Sequence, residues 1–212
     1  MRSPACRRVI ALTRRDIPEL KDAFPEIDLN KADKLVLLKV DYDSELQPQL
    51  SDSIPKELPF LSFCALGSTG GEKEKVDIIY AGNFARAVQQ ESAAVAVVSS
   101  TGASSASSLD YFRIIGTRED EYSERFGGKP LLLARPGALD RQELMQSRLK
   151  ERVLGSLSWA IDHIDTRLVA RSMVIAMEGL ASGRVPPSED NDQVYIMNNA
   201  EMRAIGQTTN EN

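Results

Sequence analysis

Short apolar runs recur along the chain: "RVIAL", "KLVLLKV", "PFLSFCAL", "AAVAVVSS" and "PLLLARP". Several are rich in β-branched residues and none alternates strictly with polar positions, the pattern of strands buried on both faces of a parallel sheet. Between the later runs lie segments of helical period. Val76 to Gln90 carries Val76, Ile79, Tyr80, Phe84, Ala87 and Val88 near one face. Leu109 to Arg125 does the same with Tyr111, Phe112, Ile115 and Tyr122, until "FGGKP" stops it. Strands alternating with helices predict an α/β fold built on a doubly wound parallel sheet.

After "ARPG" the pattern changes. Asp140 to Leu154 and Thr166 to Ala181 read as helices, the second capped by Thr166. "SGRVPPSEDND" is a polar, Pro-rich loop, "QVYIM" a late strand, and "NAEMRAIG" a short closing helix before a fraying "QTTNEN". A chain of 212 residues is long enough for one sizeable core. It reads as a single domain over 1–212, with a core at about 8–140, a helical C-terminal part at about 141–205 and a tail at 206–212.

No apolar run approaches the roughly 20 residues of a membrane helix. A formal charge of −5 argues against general nucleic-acid binding, which needs a basic face. Cys6 and Cys64 lie far apart and form no disulfide framework. Cys64, inside "FLSFCAL", reads as a buried, reduced thiol and points to a reducing compartment. The expected location is cytoplasmic, with mitochondrial or nuclear–cytoplasmic as the alternatives. The opening "MRSPACRRVIALTRR" is basic with no acidic residue before Asp16, as in an address peptide. "RVIALT" has no long amphipathic period, however, and a strand is the better reading.

Candidate chemistry is sparse. Neither G-x-G-x-x-G nor G-x-x-G-x-x-G occurs, and the densest glycine cluster, Gly67 to Gly71 in "LGSTGG", does not continue into a P-loop. On its own it reads as a turn. Arg14 and Arg15 end the first strand, where a basic pair can hold the extra phosphate of NADP or stand as solvated surface. His163 is the only histidine and is expected in a surface turn, which excludes a multi-histidine metal centre and argues against a Ser-His-Asp triad. Asp162, Asp165 and Glu178 lack metal-ligand spacing, so no metal is expected.

Ser99 and Ser100 end "AAVAVV", where a parallel strand delivers residues to the ligand edge of the sheet. Tyr111 follows at the start of a helical run. A phenol can act as general acid for a carbonyl oxygen when a nearby cation lowers its pKa, and a lysine four residues on would share its helix face. That position holds Ile115. Arg113 points to another face, and Arg118 lies two turns on, roughly 10 Å along the axis.

"VSSTGASSASSLDYFRIIG", "LLARPGALDRQE", "FCALGSTGG", the "VD" before Tyr80 and "VIALTRR" together resemble the atypical short-chain dehydrogenase/reductases of the Tat-interactive-protein, oxidoreductase-like branch. The match runs from about Val9 to Glu143. The resemblance implies an NADP-binding Rossmann fold, with Ser99 and Tyr111 in the catalytic set and Arg14, Arg15, Gly67, Ser68 and Pro136 toward the cofactor. It also marks departures. Ile115 stands where the family has lysine, "RPGALDRQE" is shortened, and the family's first strand, Gly-rich turn and first helix have no counterpart.

An incomplete gene product, a degenerate paralogue and a protein completed by a partner would each explain this. In all three NADP binding is weak or absent, because the pyrophosphate site goes with the missing turn. "RVIALT" and "FLSFCAL" are expected to flank the place of that strand. The function expected is that of a non-catalytic short-chain dehydrogenase-like protein, a regulatory or interaction module or assembly subunit with a protein partner. The alternative is an NADP-dependent oxidoreductase using Tyr111 and Ser99 on a carbonyl or hydroxyl substrate.

Overall fold

A computed structural model of the chain describes residues 5–17, 34–54, 60–68, 71–140, 162–184 and 193–207. The chain divides into two compact units, Met1–Glu57 and Leu58–Asn212. In the first, β1 (Val9–Thr13) and β2 (Leu35–Lys39) pair in parallel, with Val9 opposite Leu35 and Thr13 opposite Lys39. A short helix, α1 (Gln47–Leu50), has proline in its first turn, where the missing N–H would be unpaired anyway. Among the described residues of this unit, Val40, Tyr42, Leu46 and Leu50 are the buried side chains.

The second unit holds a parallel sheet in the order β3 (Phe60–Cys64), β4 (Ser92–Val98), β5 (Leu131–Ala134), β8 (Val194–Met197). In β4, Ala94, Val95, Ala96 and Val97 are each 0% exposed. Successive strand residues face opposite sides, so both faces are covered, which is why "AAVAVV" shows no polar alternation. On one face Ala94, Ala96, Leu132 and Ala134 pack against Val169, Met173, Ala176 and Met177 of α4 (Thr166–Ala181), with Met202 of α5 (Asn199–Gln207) in the same cluster. A π-helical segment, Lys75–Tyr80, runs into α2 (Ala81–Val88). Helices α2 and α3 (Asp110–Arg125) pack on each other and contact β3 and β5 respectively. A small parallel pair, β6 (Ala138–Asp140) with β7 (His163–Asp165), follows the main sheet.

Four expectations need correction or narrowing. His163 lies half-buried in β7 rather than in a surface turn, because its strand pairs with Ala138–Asp140. The cap of α4 is Asp165, whose carboxylate accepts from the Arg167 N–H, so Thr166 is the first helical residue. Asp140 ends β6, and the rest of the helix expected to Leu154 falls outside the described residues. At the C-terminus α5 runs through Gln207, and the remaining tail is likewise outside them. Strand β1 is bonded to β2 and β3 to β4, in separate sheets. Among the described residues no strand is bonded to the other edge of β3.

Candidate functional site

Ligands of parallel α/β sheets bind outside the carboxyl ends of the strands. In the second unit those ends are joined by α3. Its buried face is Ile115, Gly116, Arg118, Glu119 and Tyr122, the spacing of a core-facing helical stripe, except that two charged residues sit in the middle of it. A Cβ added to Gly116 would lie 2.2 Å from the backbone of Ser104 and of Ser105, so only glycine lets the helix close on that loop.

Arg118 is 1% exposed. Its guanidinium donates to the Leu66 carbonyl at 2.8 Å, to Asp77 Oδ1 at 2.8 Å and to the Val98 carbonyl at 2.6 Å. Asp77, also buried, comes from the π-helical segment and accepts the Ser68 N–H at 2.9 Å. Burial raises the Asp77 pKa, against the opposing pull of the Ser68 N–H and of Arg118. One side chain thus ties the turn after β3 to the end of β4.

Glu119 does the same one strand further on. It accepts the Ser99 hydroxyl on Oε1, and the Arg135 fork donates Nε to Oε1 at 2.9 Å and Nη2 to Oε2 at 2.5 Å. This hydrogen bonding raises the Arg135 pKa. Consecutive residues of α3 therefore fasten the ends of β3, β4 and β5.

The residues singled out from sequence fall as follows. Ser99 is buried with its hydroxyl held by Glu119. Tyr111 is half-buried in the first turn of α3, its ring edge-on to Phe112 at 5.3 Å between centroids. Among the described residues no hydrogen bond joins Tyr111 to Ser99. Ile115 is 3% exposed, a core residue. Gly67 is exposed, and the Ser68 N–H goes to Asp77. Pro136 is buried, its carbonyl accepting the Thr101 N–H at 2.9 Å. Arg14 and Arg15, in the first unit, are exposed and line an open hollow of about 360 Å³ with Thr13, Asp16 and Ile17, where Asp16 pairs with Lys39. Arg113 pairs with Asp110 on the surface.

Sequence reasoning missed Asp77, Glu119 and Arg135, and passed over Arg118 as too far from Tyr111. The usable signal was the helical period: Ile115 and Tyr122 on the core face bring 118 and 119 with them. In a helix as charged as "DYFRIIGTREDEYSER" nothing else marks those two.

A dinucleotide turn presents free backbone N–H groups to a pyrophosphate. Here the Ser68 N–H is taken by Asp77 and the Leu66 carbonyl by Arg118, so the described part of "LGSTGG" does not fit that cradle. Among the described residues no cluster of three or more acidic, histidine or cysteine side chains could hold a metal, and no helix is long and apolar enough to cross a membrane.

No family model matches the chain and no curated protein sequence does. Solved structures do match in fold. A UDP-glucuronic acid 4-epimerase from Bacillus cereus, in complex with a UDP-sugar and NAD, superposes with a TM-score of 0.59 at 12% identity, over 90% of this chain and 68% of that one. The dTDP-glucose 4,6-dehydratase DesIV from Streptomyces venezuelae, with NAD bound, gives 0.60 at 11% identity, over 91% and 66%. MoeE5, in complex with UDP-glucose and NAD, gives 0.54 at 14%, over 90% and 67%. The fold is therefore Rossmann-like, a parallel sheet with helices, similar to that of NAD-dependent epimerases and dehydratases.

Proposed function

We propose that this chain is a non-catalytic short-chain dehydrogenase-like protein, related to the Tat-interactive-protein branch, that acts as a regulatory or interaction module in a reducing compartment. One observation carries the reading: the Ser99 hydroxyl is donated to Glu119, which Arg135 holds in a two-pronged ion pair. Serine has a single O–H to donate. To polarise a substrate carbonyl it must donate there, and a charge-assisted bond to a buried carboxylate is the stronger competitor. Four residues after Tyr111, where a lysine would share its helix face, stands Ile115, a core residue.

The exposed Arg14 and Arg15 favour a second reading, an NADP-dependent oxidoreductase using Tyr111 and Ser99. Thermal shift and fluorescence titrations with NADPH and NADH decide between the two. A micromolar binder added at about 1 mM stabilises its protein by roughly 4 kcal/mol, a shift of several degrees. We expect none. A clear shift, with turnover abolished by Tyr111→Phe, would establish the enzyme instead.

A further inference from the structure

We infer that the hollow at the end of β1 is a docking site for a phosphorylated side chain of a partner peptide. This deepens the interaction-module reading, and rests on it, by giving the chemistry of the partner. Arg14 and Arg15 are exposed neighbours in the bend that follows β1, and both line the hollow of about 360 Å³ with Thr13, Asp16 and Ile17. The strand pair fixes its place. Thr13 stands opposite Lys39, and its carbonyl accepts the Val40 N–H at 2.9 Å, so the bend starts from a bonded strand end. The carboxyl ends of parallel strands are where α/β sheets meet their ligands.

Charge identifies the occupant. The chain carries a formal −5, yet Arg14, Arg15 and Lys39 meet a single carboxylate here. That carboxylate, Asp16, is bonded to Lys39 at 2.6 Å, and among the described residues no carboxylate pairs with either arginine. A guanidinium only donates, so two of them side by side call for an acceptor with several oxygens. A phosphate monoester is a dianion with three such oxygens and matches the arginine fork, the chemistry by which arginine clusters read phosphorylated motifs. Ile17, half-buried, is the one apolar side chain in the described lining, so the hollow has no pair of apolar faces to hold a nucleotide base. Its volume is at the small end of the roughly 300–1,000 Å³ of ligand sites, the scale of one phosphorylated side chain.

Titration of the full chain, followed by amide chemical shifts, tests this. The probe is a short glycine–alanine peptide around one phosphoserine. The same peptide with serine, and adenosine 2′-monophosphate, are titrated beside it at equal ionic strength. We expect saturable shifts centred on Thr13–Ile17 and Lys39, with the phosphopeptide bound at least tenfold more tightly than either control. Arg14→Gln combined with Arg15→Gln, both at exposed positions, should weaken it at least tenfold and leave the circular dichroism unchanged.

Absence of shifts at millimolar phosphopeptide would overturn the inference. So would equal binding of the serine peptide, or an affinity untouched by the double substitution. Tighter binding of adenosine 2′-monophosphate than of the phosphopeptide would overturn it too, and would assign the arginines to a nucleotide. The NADPH and NADH titrations are separate: a peptide that fails to bind removes this site alone, whereas NADPH binding removes the non-catalytic reading.

Discussion

Removing the Arg118 side chain is the sharpest probe of the network. Arg118→Met keeps most of the aliphatic volume and deletes three hydrogen bonds, to the Leu66 and Val98 carbonyls and to Asp77. What remains is a carboxylate 1% exposed that has lost its ion-pair partner. Breaking a buried pair by removing one partner costs about 3–5 kcal/mol. Each orphaned carbonyl adds on the order of 1 kcal/mol. A loss of about 5–7 kcal/mol consumes much of the 5–15 kcal/mol typical of a folded domain.

Urea unfolding followed by far-ultraviolet circular dichroism measures the loss. Two controls separate the ion pair from simple packing. Adding Asp77→Leu to Arg118→Met removes the stranded charge and should recover at least about 2 kcal/mol. The deficit of the single variant should also depend on pH. With Arg118 gone, the folded-state pKa of Asp77, already raised by burial, rises further. A raised folded pKa favours the protonated native state, so stability is retained at low pH and lost as pH rises through that pKa. The deficit should therefore be smaller near pH 4 than near pH 8. A single variant that loses under 1 kcal/mol, or a double variant no more stable than the single, would refute the account of α3 as a helix held by this pair.

Two further outcomes follow from the same geometry. Ile115→Lys puts a charge at a position 3% exposed; we expect at least about 3 kcal/mol of destabilisation and no gain in NADPH binding by thermal shift. Asp162 is held down from 3.8 to about 2 chiefly by its hydrogen bonds with Arg203. A depressed folded pKa contributes stability above the unfolded value that is lost as pH falls through the folded one. Urea unfolding near pH 4 and near pH 2 should thus show a steeper acid loss in the parent than in Asp162→Asn.

Much of the second unit was legible from sequence because its signals are local. "AAVAVV", "LLLA" and "VYIM" have the unbroken apolar character that burial on both faces imposes, and each is a strand. The bounds of α3 and α4 came within a residue of the helical period. The cap of α4 moved from Thr166 to Asp165 because adjacent residues both suit the role, and only backbone geometry separates them. The site was less legible. Sequence spacing brought Ser99 and Tyr111 into view, but the partner of the Ser99 hydroxyl sits 20 residues away on a helix, and Arg135, which holds that partner, lies at the end of another strand. Charge pairing over such separations leaves no local trace.

The network also shows how the polar groups at the strand ends are satisfied within the chain. Strand ends at a ligand crevice carry polar groups that must be satisfied, and a bound anion is one way to do it. Here the chain's own carboxylates serve: Asp77 for Arg118 and the Ser68 N–H, Glu119 for Ser99 and Arg135. Among the described residues only Arg118 Nε and Arg125 Nε are buried side-chain polar atoms without a partner. Arg118 and Glu119 therefore satisfy polar groups at the ends of β3, β4 and β5 from within the chain.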